Sequence, residues 1–426
     1  MKVKQVRPDS NMTLFCIVVI LTPISYIINL HLFVILMYIG GILLAQRTEK
    51  TGNRFLLLML YTTLFSGVSI AGFRPYDIIV LLQIISLIFT EKEIKMPIRI
   101  VPFLLVVLAG LLINYNSESL MEALRYIMCI IVIIKVRNDQ FELDALNQEI
   151  IAIIICNIFY AIVVFGFIYS GRFMNYSSSI VNTNIYIYGK ELRLNGFFSD
   201  PNKYMAFCFA LLFIVGAFLK KSVKRTIMIL MLILSSLIAL SRTSLIVIFT
   251  FIVLRMANKI KKKSKSLFFA LILSAIFIII FVSLVPDEVN NFFNRIYVLS
   301  SRFMGRNRQL ELSSSLQGDN RTRIWRMSLG LIKQRPIIGY GWLSNEWLLP
   351  YPTHNSIFAL LLDGGLVALI AYCIMLWPMF SNKRWDLVIS CIIVPSLMLD
   401  LQNYRIWFLI FGLLICPNLS VNNELE

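Results

Sequence analysis

Charge is what this sequence has least of. Only 15% of its 426 residues are charged, and 58% are hydrophobic. Soluble domains carry nearer a quarter charged, so a water-soluble globular chain is excluded. Histidine is almost missing: His31 and His354 are the two copies. Imidazole chemistry therefore has two candidates, and a histidine-built metal centre has too few ligands. Seven cysteines, at 16, 129, 156, 208, 373, 391 and 416, all sit inside apolar runs with no C-x-x-C spacing. That pattern argues against disulfides and metal and leaves small packing residues. No Gly-rich phosphate loop, H-E-x-x-H or serine-hydrolase motif is present, and no outer Asp-x-Asp pair offers itself for Mg²⁺. Any enzymatic chemistry is expected to run without a metal or cofactor.

What is present is apolar sequence in lengths that cross a bilayer core as helix. No alternation of the kind a membrane β-barrel needs competes with it. The expectation is an all-α polytopic membrane protein forming one domain over 1–426, with about 14 spans. They fall near 12–28, 31–45, 54–71, 76–90, 97–114, 119–136, 149–170, 203–219, 226–240, 243–257, 266–285, 354–380, 385–400 and 403–416. The first run lacks a small-x-small cleavage site and is read as a retained span.

The net charge of +17 has a topological explanation. Placing alternate connections inside collects more than half of the 40 basic residues there, including the K-I-K-K-K-S-K run at 259–265. The short outer connections keep only Arg74, Arg242 and Arg405. The asymmetry puts both termini in the cytoplasm and accounts for the charge without nucleic acid. Two long connections, 171–202 and 286–353, then face outside. Loops of that length are uncommon unless functional or disordered. The second holds nine basic residues, eight of them arginine, against five acids. Arginine grips phosphate oxygens in a planar fork, so an anionic ligand is expected there, with anionic lipid headgroups as the simpler occupant.

The informative stretch runs from Arg321 to Gly365. Its first half is amphipathic and basic and ends at a Pro-x-x-Gly-x-Gly turn, residues 336–341. Its second half sets His354 and Asn355 at the mouth of an apolar run. His354 either acts as a general base near neutral pH or caps the helix that starts there. His31, in a short turn, reads as structural. Arg242, in S-R-T between two spans, either snorkels to the surface or meets a polar headgroup. Asp363, before Gly364 and Gly365, is a carboxylate well inside a span and is expected to be paired, with a kink or close packing at the glycines. Glu122 and Arg125, at i,i+3, read as a self-satisfied ion pair. Asp200-Pro201-Asn202 reads as a turn closing the first long loop.

Taken in order, these pieces resemble the O-antigen polymerase/ligase family of bacterial polysaccharide enzymes. The resemblance rests on Arg321-x-x-x-Trp325, Pro336-x-x-Gly339-x-Gly341, His354-Asn355 with the glycine pair, S-R-T at Arg242, and R-L-N-G-F-F-S-D-P-N from Arg193. It implies a multi-pass protein of the bacterial cytoplasmic membrane. It further implies glycosyl transfer on the outer face from a glycan carried on polyprenyl diphosphate. The acceptor is a sugar hydroxyl of a second lipid-linked repeat in a polymerase, or a different final acceptor in a ligase. Membrane lipids and other polysaccharide-assembly membrane proteins are the implied partners. Arg242 and Arg321 would stabilise the leaving diphosphate and His354 would take the acceptor proton, inverting the anomeric carbon. Arg193, Arg323, Arg326 and Asn355 would line the substrate. Spacing to Trp325 favours Arg321 over Arg323 as the loop arginine. From another class, a lipid or polysaccharide transporter fits less well, because no internal repeat is evident.

Overall fold

A computed structural model describes residues 10–90, 94–172, 175–178, 180–185, 195–239, 242–261, 320–380 and 385–416. The candidate span 266–285, the 286–319 part of the second long loop and Arg193 lie outside the described residues.

The chain is helical. In order come α1 (Ser10–Ile28), α2 (Leu30–Ala45), α3 (Thr51–Thr63), α4 (Pro75–Thr90), α5 (Val101–Ile113), α6 (Ser117–Asn138), α7 (Asn147–Tyr169), α8 (Pro201–Phe218), α9 (Val223–Ile238) and α10 (Arg242–Lys261). After the undescribed stretch follow α11 (Asn320–Gln334), α12 (Ser344–Leu348), α13 (Ser356–Phe380), a rod over 385–398 interrupted by a π-turn at Ile389–Ile393 (α14), and α15 (Arg405–Ile415). Three helices, Asn147–Tyr169, Pro201–Phe218 and Ser356–Met379, are long and apolar enough to cross a membrane, and further apolar helices are shorter. The protein is a helical membrane protein.

Local sequence explains the helix starts. Asn29 caps α2 by accepting from the N–H groups of His31 and Leu32. Asn116 caps α6 and Ser222 caps α9 in the same way. Asp200 accepts from Asn202 N at 2.6 Å, and Pro201 supplies the first helical position of α8. The Asp200-Pro201-Asn202 turn is thus a helix start. The candidate span 54–71 is shorter than expected: α3 ends at Thr63, and Val68–Ile70 (β1) pairs antiparallel with Val181–Thr183 (β2). That small sheet folds part of the first long loop onto the bundle.

Burial separates core from lipid face. From Tyr204 to Phe218 every residue of α8 is buried, making it the central helix. On α1 and α2, exposed isoleucines recur at helical spacing, Ile17, Ile20, Ile24 and Ile28, then Ile35, Ile39 and Ile42. An apolar stripe on the outside suits lipid contact. Five cysteines are buried and two, Cys16 and Cys373, are exposed, all with free thiols.

The Arg321–Gly365 stretch proves to be one structural unit. Helix α11 lies along the first half of α13, held by Trp325, whose indole donates to Thr353 O at 2.8 Å and meets Phe358 edge-on. After Pro336 the chain turns and inserts into a break in α13. There Gly365 has φ 64° and ψ −161°. Tyr340 N and Gly341 N donate to the carbonyls of Leu362 and Asp363, both at 2.8 Å. Leu366 N and Val367 N donate back to Pro336 O and Ile337 O at 2.8 and 3.2 Å. A helix broken inside a membrane protein must have its freed backbone groups satisfied by protein, and the Pro336–Gly341 turn does this. Any β-carbon on Gly365 would strike Ile337 O. The two glycine motifs are therefore the two halves of one joint. Asp363 is paired as expected, but with a neutral partner: its Oδ1 accepts from Ser344 N at 2.9 Å and Ser344 Oγ at 2.8 Å, anchoring α12. Trp342 is fully buried, its indole donating to Val107 O at 2.7 Å in α5. The described part of the second long loop, 320–353, packs against α13 through Trp325 and against α5 through Trp342.

Candidate functional site

His354 stands where two chain ends meet, the 353–355 turn before α13 and the 399–405 loop between α14 and α15. Asp400 joins them. Its Oδ1 accepts from Thr353 Oγ1 at 2.7 Å and Asn355 N at 3.0 Å, and its Oδ2 accepts from His354 N at 2.9 Å. Ser356 adds a fourth tie: its Oγ donates to Leu399 O at 2.7 Å and accepts from Leu401 N at 2.8 Å.

This clasp imposes an uncommon backbone. His354 has φ 49°, in the left-handed region that a histidine adopts at a cost of about 1 kcal/mol or more. Such a conformation persists only where the surroundings over-determine it, and Asp400 does so. His354 Nδ1 lies 3.6 Å from Asp400 Oδ2, in ion-pair rather than hydrogen-bond range, and the side chain is 38% exposed. The residue is thus fixed by its backbone, with its side chain partly exposed. Its expected alternative role, capping the helix, belongs to Asn355, whose Oδ1 accepts from Ile357 N at 2.9 Å and Phe358 N at 3.2 Å. The Asn355 oxygen, expected to face substrate, is engaged by the helix.

The 399–405 loop is pinned from below. Arg405 is buried, bonded through Nε to Asp77 Oδ1 at 2.8 Å and through Nη1 to Asn403 O at 2.8 Å. Asp77 also accepts from Arg74 N at 3.2 Å. The Asn403 amide donates to Glu122, and Glu122 pairs with Arg125 at 2.8 Å, as its spacing led us to expect. One polar chain therefore links α4, α6 and the loop that holds Asp400. Arg405 belongs to this framework and is buried. Such buried pairs fix geometry more than they add stability.

Around the clasp lie further charges. Lys203, in the first turn of α8, is half-buried and feels the charges of Arg74, Asp200, Arg125 and Asp400. The two arginines oppose its charge and the two carboxylates favour it. Glu346 of α12 stands close enough to feel Glu122, Arg125 and Asp400. Burial first, then the Glu122 charge, push its carboxyl above the ordinary range, with Arg125 opposing.

The arginines expected at the site are placed as follows. Arg321 lies in the first turn of α11, one turn before Trp325, and Arg242 begins α10; neither side chain is among those described. Arg323 and Arg326 are exposed on α11. His31 lies in the first turn of α2, beside its cap Asn29. Sequence reasoning missed Asp400, taking it as the end of a span. The signal available was an acid closing an apolar run within L-D-L-Q-N-Y-R. Arg74, Arg125 and Lys203 were missed as neighbours because they come from three segments far apart in sequence, the residue before α4, α6 and α8.

No curated protein and no solved structure matches the chain. Residues 227–373, less than half of the chain, match the model of the family described as O-Antigen ligase. That region includes Arg242, Arg321, the interlocked joint and His354, and the match supports an O-antigen polymerase/ligase-like family for this protein.

Proposed function

We propose that the protein is a polymerase that joins polyprenyl-diphosphate-linked oligosaccharide repeats at the outer face of the bacterial cytoplasmic membrane. Both termini and the basic connections would face the cytoplasm, and the 171–202 and 286–353 segments the outside. The observation that carries this reading is the Asp400 clasp, which holds a partly exposed histidine in a strained turn.

In this reaction His354 takes the proton of the acceptor hydroxyl through the ring nitrogen turned away from Asp400. The hydroxyl oxygen bonds to the anomeric carbon of the donor from the face opposite the leaving group. The bond from that carbon to the diphosphate oxygen breaks, and its electron pair leaves with the polyprenyl diphosphate. Asp400 orients the imidazole and steadies the imidazolium that forms. The charge appearing on the diphosphate needs fixed cations, supplied by Arg242 and Arg321 without a metal. Arg323, Arg326 and Arg193 extend this field along the glycan.

A ligase that moves finished glycan to a final acceptor is the second reading, favoured by the description of the matching family. Purified protein given a lipid-linked repeat, with products resolved on a gel, tests both. His354→Ala is expected to abolish products while keeping membrane level and donor binding, since a general base is worth about 10² to 10⁴-fold. Product formation by His354→Ala near the wild-type rate would refute the catalytic reading. A ladder from the wild type supports polymerisation. Transfer of preformed long chains without a ladder supports the ligase.

A further inference from the structure

At the end of the bundle remote from His354 a cleft of about 520 Å³ opens between the Pro97–Ile100 turn, α6, the end of α13 and α15. It lies beside Met375, Pro378 and Met379, past the Gly365 break and towards the end of α13 away from the His354 turn. Its floor is apolar and buried, formed by Ile133, Met375, Met379 and Phe411. Its rim carries Arg99 and Arg137. Neither makes an ion pair among the described residues. The nearby acid, Asp139, is taken by Lys135 at 2.6 Å. Lys95 is brought to the same edge, because its N–H and carbonyl are both bonded by the Asn138 side chain, at 3.0 and 3.3 Å. Ile98, on the lip, is 83% exposed. A cationic rim over an apolar floor, opening through an exposed isoleucine, is matched by an amphiphile with an anionic head.

We propose that this cleft binds an anionic glycerophospholipid from the leaflet opposite the His354 site. The phosphate sits between Arg99 and Arg137, at the C-terminal end of α6, where an arginine pair can hold it in charge-assisted hydrogen bonds. One acyl chain lies along Met375, Met379 and Phe411, and the flexible thioethers adapt to it. Basic pockets between membrane helices bind anionic headgroups in this manner. The site lies outside the glycan chemistry and stands or falls independently of it.

The test uses the full chain in neutral detergent. Phosphatidylglycerol and phosphatidylcholine with the same acyl chains are added at equal concentration. Bound lipid is counted by native mass spectrometry, and the unfolding midpoint is followed by tryptophan fluorescence. One phosphatidylglycerol is expected to be retained in preference to phosphatidylcholine and to raise the midpoint. Arg99→Gln combined with Arg137→Gln should reduce that preference about thirtyfold, from the worth of two basic residues at a membrane surface. Ile98→Glu, at an exposed position, should reduce it as well by placing a like charge at the mouth. Lys221→Gln with Lys224→Gln, exposed on another connection, should leave it unchanged. Equal retention of the two lipids by the wild type would overturn the proposal, as would a preference that survives both cleft variants. So would an equal loss in the Lys221/Lys224 variant. Inorganic phosphate alone should not move the midpoint; a shift as large as the lipid's would remove the acyl chain from the argument and overturn the lipid assignment.

Discussion

Replacing Asp400 by asparagine tests the centre of the site with a change of almost no volume. The carboxylate accepts three hydrogen bonds, from Thr353 Oγ1, His354 N and Asn355 N. An asparagine can offer its single oxygen to Thr353 and Asn355, which share Oδ1, but its NH₂ group then faces the His354 N–H. One charge-assisted bond, worth about 1.5–3 kcal/mol, is lost outright, and the other two weaken to neutral ones. The sum, about 3 kcal/mol, exceeds the roughly 1 kcal/mol that holds His354 in the left-handed region. The turn should therefore relax and the imidazole move. A displacement of about 1 Å at a reacting group costs on the order of a hundredfold in rate. The expected result for Asp400→Asn is about a hundredfold less product from a lipid-linked repeat, with membrane level and donor binding near wild type. Asp400→Glu keeps the charge and should recover part of the activity. An Asp400→Asn protein that works at the wild-type rate would refute the clasp argument. So would one that loses donor binding and folding together, because Asp400 would then be a structural residue and not a positioning one.

Further outcomes are expected for the arginines and for the glycine joint. Arg242→Lys and Arg321→Lys should each lose about ten- to a hundredfold of activity with normal insertion, because lysine keeps the charge and loses the planar fork. Activity loss in Arg323→Lys with a silent Arg321→Lys would move the essential residue two places along α11. Gly365→Ala should lower the yield of monodisperse protein on size-exclusion chromatography sharply, by a destabilisation of about 3 kcal/mol or more. Its φ is positive and its β-carbon would strike Ile337 O. Gly330→Ala on α11, where a β-carbon meets nothing within 4 Å, should leave the yield unchanged or raise it.

The sequence by itself determined the class of the fold and singled out His354 as the candidate base. Long apolar runs separated by basic clusters have one stable solution in a bilayer, because helices satisfy their own backbone. His354 was legible because histidine is so scarce in this chain, and the Glu122–Arg125 pair because i,i+3 neighbours meet on any helix. The glycines of 336–341 and 364–365 were legible as breaks, but not as one joint, since backbone pairing between distant segments leaves no periodicity to read. How Asp400, Arg74, Arg125 and Lys203 come together was decided by tertiary structure alone. Asp400 lies in a loop, Arg74 just before α4, Arg125 within α6 and Lys203 in the first turn of α8, and charges so scattered show what they face only once the chain is packed. The capping role expected for His354 went to Asn355 for a related reason. A one-residue choice of helix start depends on the Asp400 carboxylate arriving from 45 residues downstream to hold Asn355 N, and no local preference encodes it.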